Sequence, residues 1–327
     1  MRRVVAPVSV VIAAYNAEEF ISQTITSAQA QTVPVAEIIV VADGSTDATA
    51  HIARSMGARV YHADSLGLSA ARNKCVREST QPWIAFLDSD DTWEPGKIEC
   101  QLEMACANPE LALITCDYDA FTESEVLFES ALAKYASGFR NQPRRETQHG
   151  TVIDELDSRF ADAYYFLLAS NVMVRREVFQ RSGLFDESLQ SADDFDCFMR
   201  ILAHHPFGLV ESVLVHKRQH SGGASIRNPQ ATLSCLAATY KVLDHPELYP
   251  AATVELCRRW LPGNLRHAGA RLVSSGDAKR GREFLFQSAR LKLDWRTIVA
   301  LAVSVAPRNT SRRLMKARYY LSAALGI

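Results

Sequence analysis

Short runs of β-branched and other apolar residues alternate with stretches of helical periodicity along the first third of the chain. The predicted strands are VSVVIA, EIIVVA, RVYHA, WIAFLD and LALITC, and stretches such as EEFISQTITSAQ and LSAARNKCVRES between them are predicted helices. This alternation is typical of βαβ units, which build a parallel sheet. We therefore predict an α/β fold with a Rossmann-like parallel sheet from residue 7 to 117.

Residues that begin or end helices support this pattern. Asn16 stands three positions before Glu19, the spacing of a capping box at the start of the first helix. Gly57 is placed to end the second helix. The N-terminal apolar run follows two arginines and could also be a signal peptide, but Pro7 interrupts it and a polar Tyr-Asn pair follows it. We interpret it as the first buried strand.

The pattern weakens between about residues 121 and 160, where polar sequence predicts a loop-rich insertion. Order returns with a predicted strand at LLASNVMVRR, helices at REVFQRSG and DDFDCFMRILAHH, and a strand at LVESVLVHKR. Beyond Ser221-Gly222-Gly223 the pattern is helical, with a helical hairpin around Gly276. We therefore place a first domain at 1–225 and an all-helical C-terminal region at 226–327. That region is either a helical cap or part of a helical repeat.

Composition excludes several classes of protein. Apolar residues make up 47% of the 327 residues and charged residues 22%, as in ordinary globular chains. The 36 basic and 37 acidic residues nearly cancel, so no overall charge favours nucleic acid. Seven cysteines without a C-x-x-C pair fit a reduced cytosol. The late apolar run TIVALAVSVA is about half the length of a membrane span, so we expect no transmembrane segment.

Polar and acidic residues follow three of the predicted strands. These residues are Ala14-Tyr15-Asn16, Asp43-Gly44-Ser45 and the four residues Asp88 to Asp91. Parallel strands end at one edge of a sheet, where ligands bind. Three aspartates in four residues repel one another unless a cation lies among them, and oxygen ligands favour Mg²⁺ or Mn²⁺. The alternatives are a solvated acidic turn and a calcium EF-hand, but Trp93 occupies the position where an EF-hand needs glycine.

Two common phosphate-binding motifs are missing from the sequence. There is no G-x-x-x-x-G-K-[ST], and AAYNAEE follows the first strand in place of G-x-G-x-x-G. The sequence therefore predicts a sheet that binds a nucleotide diphosphate through a metal ion.

Several linked motifs make the resemblance to a known family specific. VSVVIAAYNAEE, EIIVVADGSTDAT, GLSAARN and WIAFLDSDDTWEPGKIECQ, in this order, resemble the family 2 glycosyltransferases of GT-A fold. NVMVRREVFQRSGLFDESL and DDFDCFMR resemble the acceptor-side segment of that family. The resemblance covers about residues 7 to 225, which it identifies as a glycosyltransferase catalytic domain.

The resemblance implies a donor site and assigns roles to its residues. The donor-binding residues would be Ala14, Tyr15, Asp43, Arg72 and Asp88. Tyr15 would pack on the base, Asp43 would accept from the uracil N–H, Arg72 would reach the base, and Asp88 would lie near the ribose. From the residues alone, Tyr15 could instead be a core aromatic and Arg72 a surface helix residue.

The resemblance also implies a metal site and a general base. Asp90 would be the direct ligand of Mg²⁺ or Mn²⁺, and His220 would close over the metal and diphosphate. Asp194 would be the general base, although it could instead be a helix N-cap, and Asp196 is close enough to compete for the role. Ala42 stands where the family often has aspartate.

The expected function is inverting transfer of a sugar from a nucleotide diphosphate, with UDP expected, to a hydroxyl of a glycan or lipid-linked acceptor. The alternatives are a sugar-nucleotide-binding scaffold that has lost catalysis, which Ala42 permits, and a nucleotidyltransferase, which would need a glycine-rich basic segment after the first strand. The expected location is the cytoplasm. A basic helix from about Ser311 could contact an anionic membrane at the inner face, or could pack on the domain.

Overall fold

The computed structural model describes residues 5–140, 142–157, 166–220, 222–223 and 231–305, without the side chains of 136–140. These residues form two compact units. The first comprises Met1–Asn228 and Pro246–Thr253, and the second comprises Pro229–His245 and Val254–Ile327. The predicted boundary at 225 falls within 224–230, outside the described residues, and stays a prediction.

The first unit is built on an 11-stranded sheet. Its strands are β1 (Ala6–Ala14), β2 (Val35–Asp43), β3 (Arg59–Ala63), β4 (Trp83–Phe86), β5 (Thr92–Trp93), β6 (Leu113–Phe121), β7 (Val126–Phe128), β8 (Arg144–Thr147), β9 (Gly150–Ile153), β10 (Met173–Arg175) and β11 (Phe207–Arg218). Its helices are α1 (Ile21–Gln29), α2 (Thr49–Ser55), α3 (Leu68–Glu78), α4 (Lys97–Ala107), α5 (Ala131–Arg140), α6 (Phe179–Ser182) and α7 (Asp193–Leu202). The α/β fold is as predicted.

The sheet combines parallel and antiparallel neighbours. The strands β3, β2, β1 and β4 are neighbours and parallel, and the near-continuous apolar runs of β1 and β2 are buried. The short strand β10, however, lies antiparallel between β4 and β6, while β11 is parallel to β6. The sheet as a whole is therefore mixed, whereas the five strands predicted between residues 7 and 117, now β1, β2, β3, β4 and β6, all run in one direction as expected.

The predicted loop-rich insertion contains regular structure. Strand β7, helix α5 and the hairpin of β8 and β9 all lie between 121 and 160, and β9 extends the sheet beside β11. Asp117, in the middle of β6, accepts a hydrogen bond from the backbone N–H of Leu132 at 3.0 Å and so holds the start of α5. These strands are only three or four residues long, and β7 and β8 are largely exposed while β9 is buried, which explains the weak apolar pattern of the segment.

Two glycines end helices as predicted, but the first helix does not begin at the predicted residue. Gly57 and Gly183 follow helices with φ of 85° and 73°, a conformation that glycine adopts without strain. The capping box was wrong, because α1 begins at Ile21 and the Asn16 Oδ1 accepts from the backbone N–H of Thr46 at 2.8 Å. LLASNVMVRR and REVFQRSG form only short elements, since 3₁₀ turns replace part of the predicted strand and helix.

All elements of the second unit that the structure describes are helical. They are α8 (Ala231–Asp244), most of α9 (Ala251–Ser275), α10 (Ala278–Leu291) and α11 (Trp295–Ser304). Gly276, with φ of 109°, joins α9 to α10 as the predicted hairpin requires. In the described part of the chain no helix combines the length and the apolar character needed to cross a bilayer. The predicted helix from Ser311 lies outside the described residues.

Candidate active site

The ends of β1, β2 and β4 bring the predicted donor residues to one edge of the sheet. Ala14 pairs with Ala42 across β1 and β2, and Val11 pairs with Phe86 across β1 and β4, so the residues that follow all emerge together. The side chain of Tyr15 is 62% exposed and is therefore not a core aromatic. Its position leaves a ring face free to stack against a planar ligand.

Asp43 organises the loop that leads into α3. Its two carboxylate oxygens accept from the backbone N–H groups of Leu66 and Gly67 at 2.8 and 2.7 Å. Gly67 has φ of 95° and directly precedes α3. Asp43 therefore fixes the start of the helix that carries Arg72, a role that the sequence did not indicate.

Arg72 links two acidic parts of the site. Its guanidinium donates to Asp193 at 2.7 Å and to Asp88 at 2.8 Å, and it lies 5.6 Å from the ring centre of Phe185. Burial opposes the charge of this side chain, but the two carboxylates outweigh it and raise the Arg72 pKa, so the guanidinium stays protonated. Arg72 is 5% exposed, so the alternative of a surface helix residue was wrong.

Asp90 and His220 meet beside Asp88. The His220 Nε2 lies 3.0 Å from the Asp90 Oδ2, and the imidazole packs edge-on against Phe20 with ring centres 4.6 Å apart. Burial and the negative charge of Asp88 raise the Asp90 pKa, although His220 acts against this. The residues that the structure describes contain no group of three His, Cys, Asp or Glu side chains that could hold a metal ion.

The third aspartate of the cluster, Asp91, has a positioning role that sequence reasoning missed. Its carboxylate accepts from the Ser170 hydroxyl at 2.6 Å and from the Arg218 backbone N–H at 2.9 Å. The same hydroxyl accepts from the Asp88 backbone N–H at 3.1 Å. Burial, with the charges of Asp90 and Asp88, raises the Asp91 pKa to about 8. Asp91 thus ties the Asp88 segment to the chain that leads into His220.

Asp194 lies in the first turn of α7. The N-cap is Ala192, with φ of 61°, so the N-cap alternative for Asp194 was wrong. The Asp194 carboxylate is partly exposed and accepts from the backbone N–H of Phe195 at 2.8 Å. Burial and the neighbouring Asp193 raise the Asp194 pKa to about 6, against the opposing effect of Arg72. Such a carboxylate is a stronger base than an ordinary aspartate and is still ionised at neutral pH.

Two residues that could compete for these roles are already engaged. Asp196 is 1% exposed and accepts from Arg200 at 2.8 Å and from the Tyr249 hydroxyl at 2.5 Å. His216 lies within hydrogen-bond distance of Asp119 and Glu94, at 2.9 and 2.8 Å. These contacts leave Asp194 and His220 as the better placed groups.

The site as a whole places the group of Asp88, Asp90 and His220 near Asp194, a carboxylate with a raised pKa. Through Arg72, the Asp88 segment after β4 is connected with Asp193, which directly precedes Asp194. One edge of the sheet therefore carries the Asp88 and Asp90 carboxylates, the Arg72 guanidinium and the Asp194 carboxylate with its raised pKa. Sequence reasoning identified Arg72, Asp88 and Asp194, but no local signal could have indicated that Asp193 and Ser170 complete the network.

Comparison with known proteins identifies a matching family profile and several relatives. The family profile described as Glycosyl transferase family 2 matches residues 9–182, more than half of the chain. An uncharacterized glycosyltransferase of Rickettsia typhi, RT0329, is 28% identical over 65% of this chain, which spans 64% of that protein. The succinoglycan biosynthesis protein ExoU of Rhizobium meliloti is 27% identical over 83% of this chain and 72% of its own length.

Solved structures share the fold at low identity. TarS 1–349 of S. aureus, in complex with UDP-GlcNAc, has a TM-score of 0.63 and 16% identity, with 96% of this chain and 92% of that chain covered. The mannosyltransferase PcManGT of Pyrobaculum calidifontis, in complex with GDP-Man and Mn²⁺, has a TM-score of 0.56 and 15% identity, with 98% and 86% covered. The fold is the predicted GT-A fold with a helical C-terminal region.

Proposed function

The chain belongs to glycosyl transferase family 2, and we propose that it transfers a sugar from a nucleotide diphosphate to a hydroxyl of a glycan or lipid-linked acceptor, with inversion. The observation that carries this proposal is the bridge made by Arg72. It connects Asp88, on the donor side, with Asp193, whose neighbour Asp194 has a pKa raised to about 6. Donor binding and proton removal are therefore supported at one edge of the sheet.

In the proposed reaction Asp194 is the general base. The acceptor hydroxyl gives its proton to the Asp194 carboxylate while its oxygen bonds to the sugar C1, and the bond from C1 to the diphosphate oxygen breaks. The electron pair of that bond leaves with the nucleotide diphosphate. A single displacement inverts the anomeric centre, so an α-linked donor gives a β-glycoside. A positioned general base of this kind typically increases the reaction rate by a factor of about 10²–10⁴.

Asp90 and His220 fit a divalent cation. A carboxylate and an imidazole nitrogen 3.0 Å apart are both metal-ligand types, and burial together with the charge of Asp88 raises the Asp90 pKa, an effect that a bound cation would oppose. Mg²⁺ is usually held by one or two carboxylates together with substrate phosphates, so two protein ligands are sufficient. A Mg²⁺ or Mn²⁺ ion held there would supply Lewis-acid stabilisation of the diphosphate charge.

Tyr15, Asp43 and Ala14 form the proposed base and ribose side of the donor site together with Arg72 and Asp88. The complexes of TarS with UDP-GlcNAc and of PcManGT with GDP-Man and Mn²⁺ support a nucleotide-sugar donor and a metal ion. We propose UDP as the first nucleotide to test. ExoU, named for succinoglycan biosynthesis, supports a polysaccharide acceptor. The contact of the segment from Ser311 with an anionic membrane at the inner face stays a prediction.

Donor hydrolysis followed by NMR tests the proposal without a known acceptor. The chain is incubated with UDP-sugars or GDP-mannose and Mn²⁺, and the anomer of the released sugar is recorded before it mutarotates. The expected first product from an α-linked donor is the β-anomer, with slower release from Asp194→Asn. Initial release of the α-anomer would contradict inversion. Donor binding without any turnover would instead favour the scaffold alternative, which the replacement at Ala42 permits.

A further inference from the structure

Helix α11 presents its larger apolar side chains outward. Its buried residues are Thr297, Ala300 and Ser304, which are small or polar. Trp295, Ile298, Val299 and the adjoining Val305 are 67%, 51%, 40% and 72% exposed. With 3.6 residues per turn, these four positions lie on one side of the helix. The usual arrangement of an amphipathic helix, with its large apolar residues inward, is reversed here.

The segment before the helix adds two further exposed apolar side chains. Leu291 and Leu293 are 56% and 67% exposed, and Lys292 between them is also exposed. We call Leu291, Leu293, Trp295, Ile298, Val299 and Val305 the α11 face. Single exposed apolar residues are ordinary, but six large ones among residues 291–305 are characteristic of an interaction surface.

The charges beside the α11 face are mainly positive. Arg290, Lys292 and Arg296 fall within 290–305, and Asp294 is the one acidic residue there. The Arg296 guanidinium lies 5.5 Å from the ring centre of Trp295. Asp294 is engaged within the fold, since it accepts from the Thr297 backbone N–H at 2.7 Å and from Arg266 at 3.1 Å. The surface around the α11 face therefore complements a negatively charged partner.

We propose that the α11 face docks on an anionic lipid bilayer, in the plane of the headgroups. A tryptophan at one end, aliphatic residues along one side and flanking basic residues are the features of an interfacial helix. Ten residues span about 15 Å, too short to cross a bilayer but sufficient to lie on one. The exposed parts of these six side chains form a smaller surface than the ~800 Å² that each partner buries in a stable protein interface, which argues against a second copy of the chain.

Vesicle flotation of the full chain tests the proposal. The native chain is compared on phosphatidylcholine vesicles with and without phosphatidylglycerol. Binding is expected only with the anionic lipid, and it is expected to weaken in high salt. The triple variant Trp295→Gln, Ile298→Gln, Val299→Gln is expected to lose roughly tenfold or more in partitioning. The control Val126→Gln, Leu127→Gln changes apolar residues that are 63% and 38% exposed on β7, and it is expected to bind as the native chain does.

A charge pair and a fluorescence measurement separate lipid docking from other occupants of the face. Lys292→Glu is expected to weaken binding about fivefold or more, whereas Lys279→Glu, at the other end of α10, is expected to have a much smaller effect. Brominated lipid is expected to quench part of the tryptophan fluorescence of the native chain. This quenched part is expected to be absent from Trp295→Gln, because it is the emission of Trp295. Equal binding of the native chain and the triple variant would overturn the proposal. The proposal would also be overturned if the native chain formed a dimer that the triple variant did not form. Weak quenching of Trp295 fluorescence by acrylamide in the absence of vesicles would overturn it as well, because the face would then already be covered.

Discussion

Asp194 is the residue on which the proposed chemistry depends. We expect Asp194→Asn to keep donor affinity within a few fold, because the amide preserves the shape of the side chain and the contacts of Arg72 lie elsewhere. The rate of transfer is expected to fall by roughly 10²–10⁴, because the amide cannot take the acceptor proton. Titration calorimetry with the donor and single-turnover kinetics measure the two quantities separately.

Asp196→Asn is the matched control, two positions further along the same helix. Asp196 is bonded to Arg200 and Tyr249 inside the fold, so its loss is expected to lower the melting temperature while the folded enzyme keeps most of its rate. If Asp196→Asn lost transfer and Asp194→Asn kept it, the assignment of the base would be wrong.

The pH dependence of transfer reports the ionisation of Asp194. Its pKa is raised to about 6, so the rate is expected to rise as pH increases through about 6, where the carboxylate loses its proton. Asp193→Asn removes a negative charge that raises this pKa. The acid limb of the kcat profile is therefore expected to move to lower pH, whatever the loss in absolute rate. A limb that stayed in place or moved upward would contradict this account.

For single residues, the sequence could predict which side chains belong to the candidate site, but not which other side chains they contact. Arg72, Asp88, Asp90 and His220 were selected by motif resemblance, and the structure brings them together at one edge of the sheet. The bond from Arg72 to Asp193 joins residues 121 positions apart. No local pattern encodes such a contact, so the Asp193 and Ser170 connections could be found only in three dimensions.

Between elements, two helices of the second unit approach each other closely at a pair of glycines. A Cβ added at Gly281 would lie 2.7 Å from the Gly269 carbonyl oxygen and 2.7 Å from a Val273 methyl group, so α9 and α10 touch through their backbones. We expect Gly281→Ala to lower the free energy of unfolding by about 1–3 kcal/mol, because the helices must separate. Chemical denaturation with helical circular dichroism measures the change.

Gly263→Ala is the control on α9. The nearest atom to an added Cβ there is 3.9 Å away, at the end of the Arg266 side chain. Alanine has the higher helix propensity, so this substitution is expected to be neutral or to stabilise by up to about 1 kcal/mol. A similar loss in both variants would mean that glycine matters at Gly281 for a reason other than close packing.

Elements with strong periodicity could be predicted, and elements that depend on distant pairing could not. Strands β1, β2 and β4 and the hairpin around Gly276 follow from local pattern. Strand β10 has only three residues, and its antiparallel direction follows from pairing with both β4 and β6. The polar hairpin of β8 and β9 gains its order from β11, a strand far along the chain, and so it resembled a loop in the sequence.

On the scale of the whole chain, the change from a sheet to helices could be predicted because composition and periodicity both change near residue 223. The structure adds a detail that sequence reasoning missed. Residues 246–253 return to the first unit, where the Tyr249 hydroxyl bonds to Asp196 at 2.5 Å. A linear scan assigns each stretch to the nearest domain and cannot detect such a return.

Ligand binding should be visible in the stability of the whole chain. A donor that binds only the folded state stabilises it by RT ln(1 + [L]/Kd), about 2.7 kcal/mol at one hundred times Kd. We expect UDP or a UDP-sugar to raise the melting temperature, and Mn²⁺ to add to that increase because Asp90 and His220, 3.0 Å apart, are the proposed ligands of the metal ion. Asp90→Ala is expected to abolish the Mn²⁺-dependent part of the increase in melting temperature, since the remaining Asp88 is held by Arg72.

The control Asp244→Ala removes an exposed carboxylate at the end of α8 and should leave the whole increase in melting temperature in place. An equal Mn²⁺-dependent increase in Asp90→Ala would refute the metal assignment, and a larger response to GDP than to UDP would redirect the donor assignment.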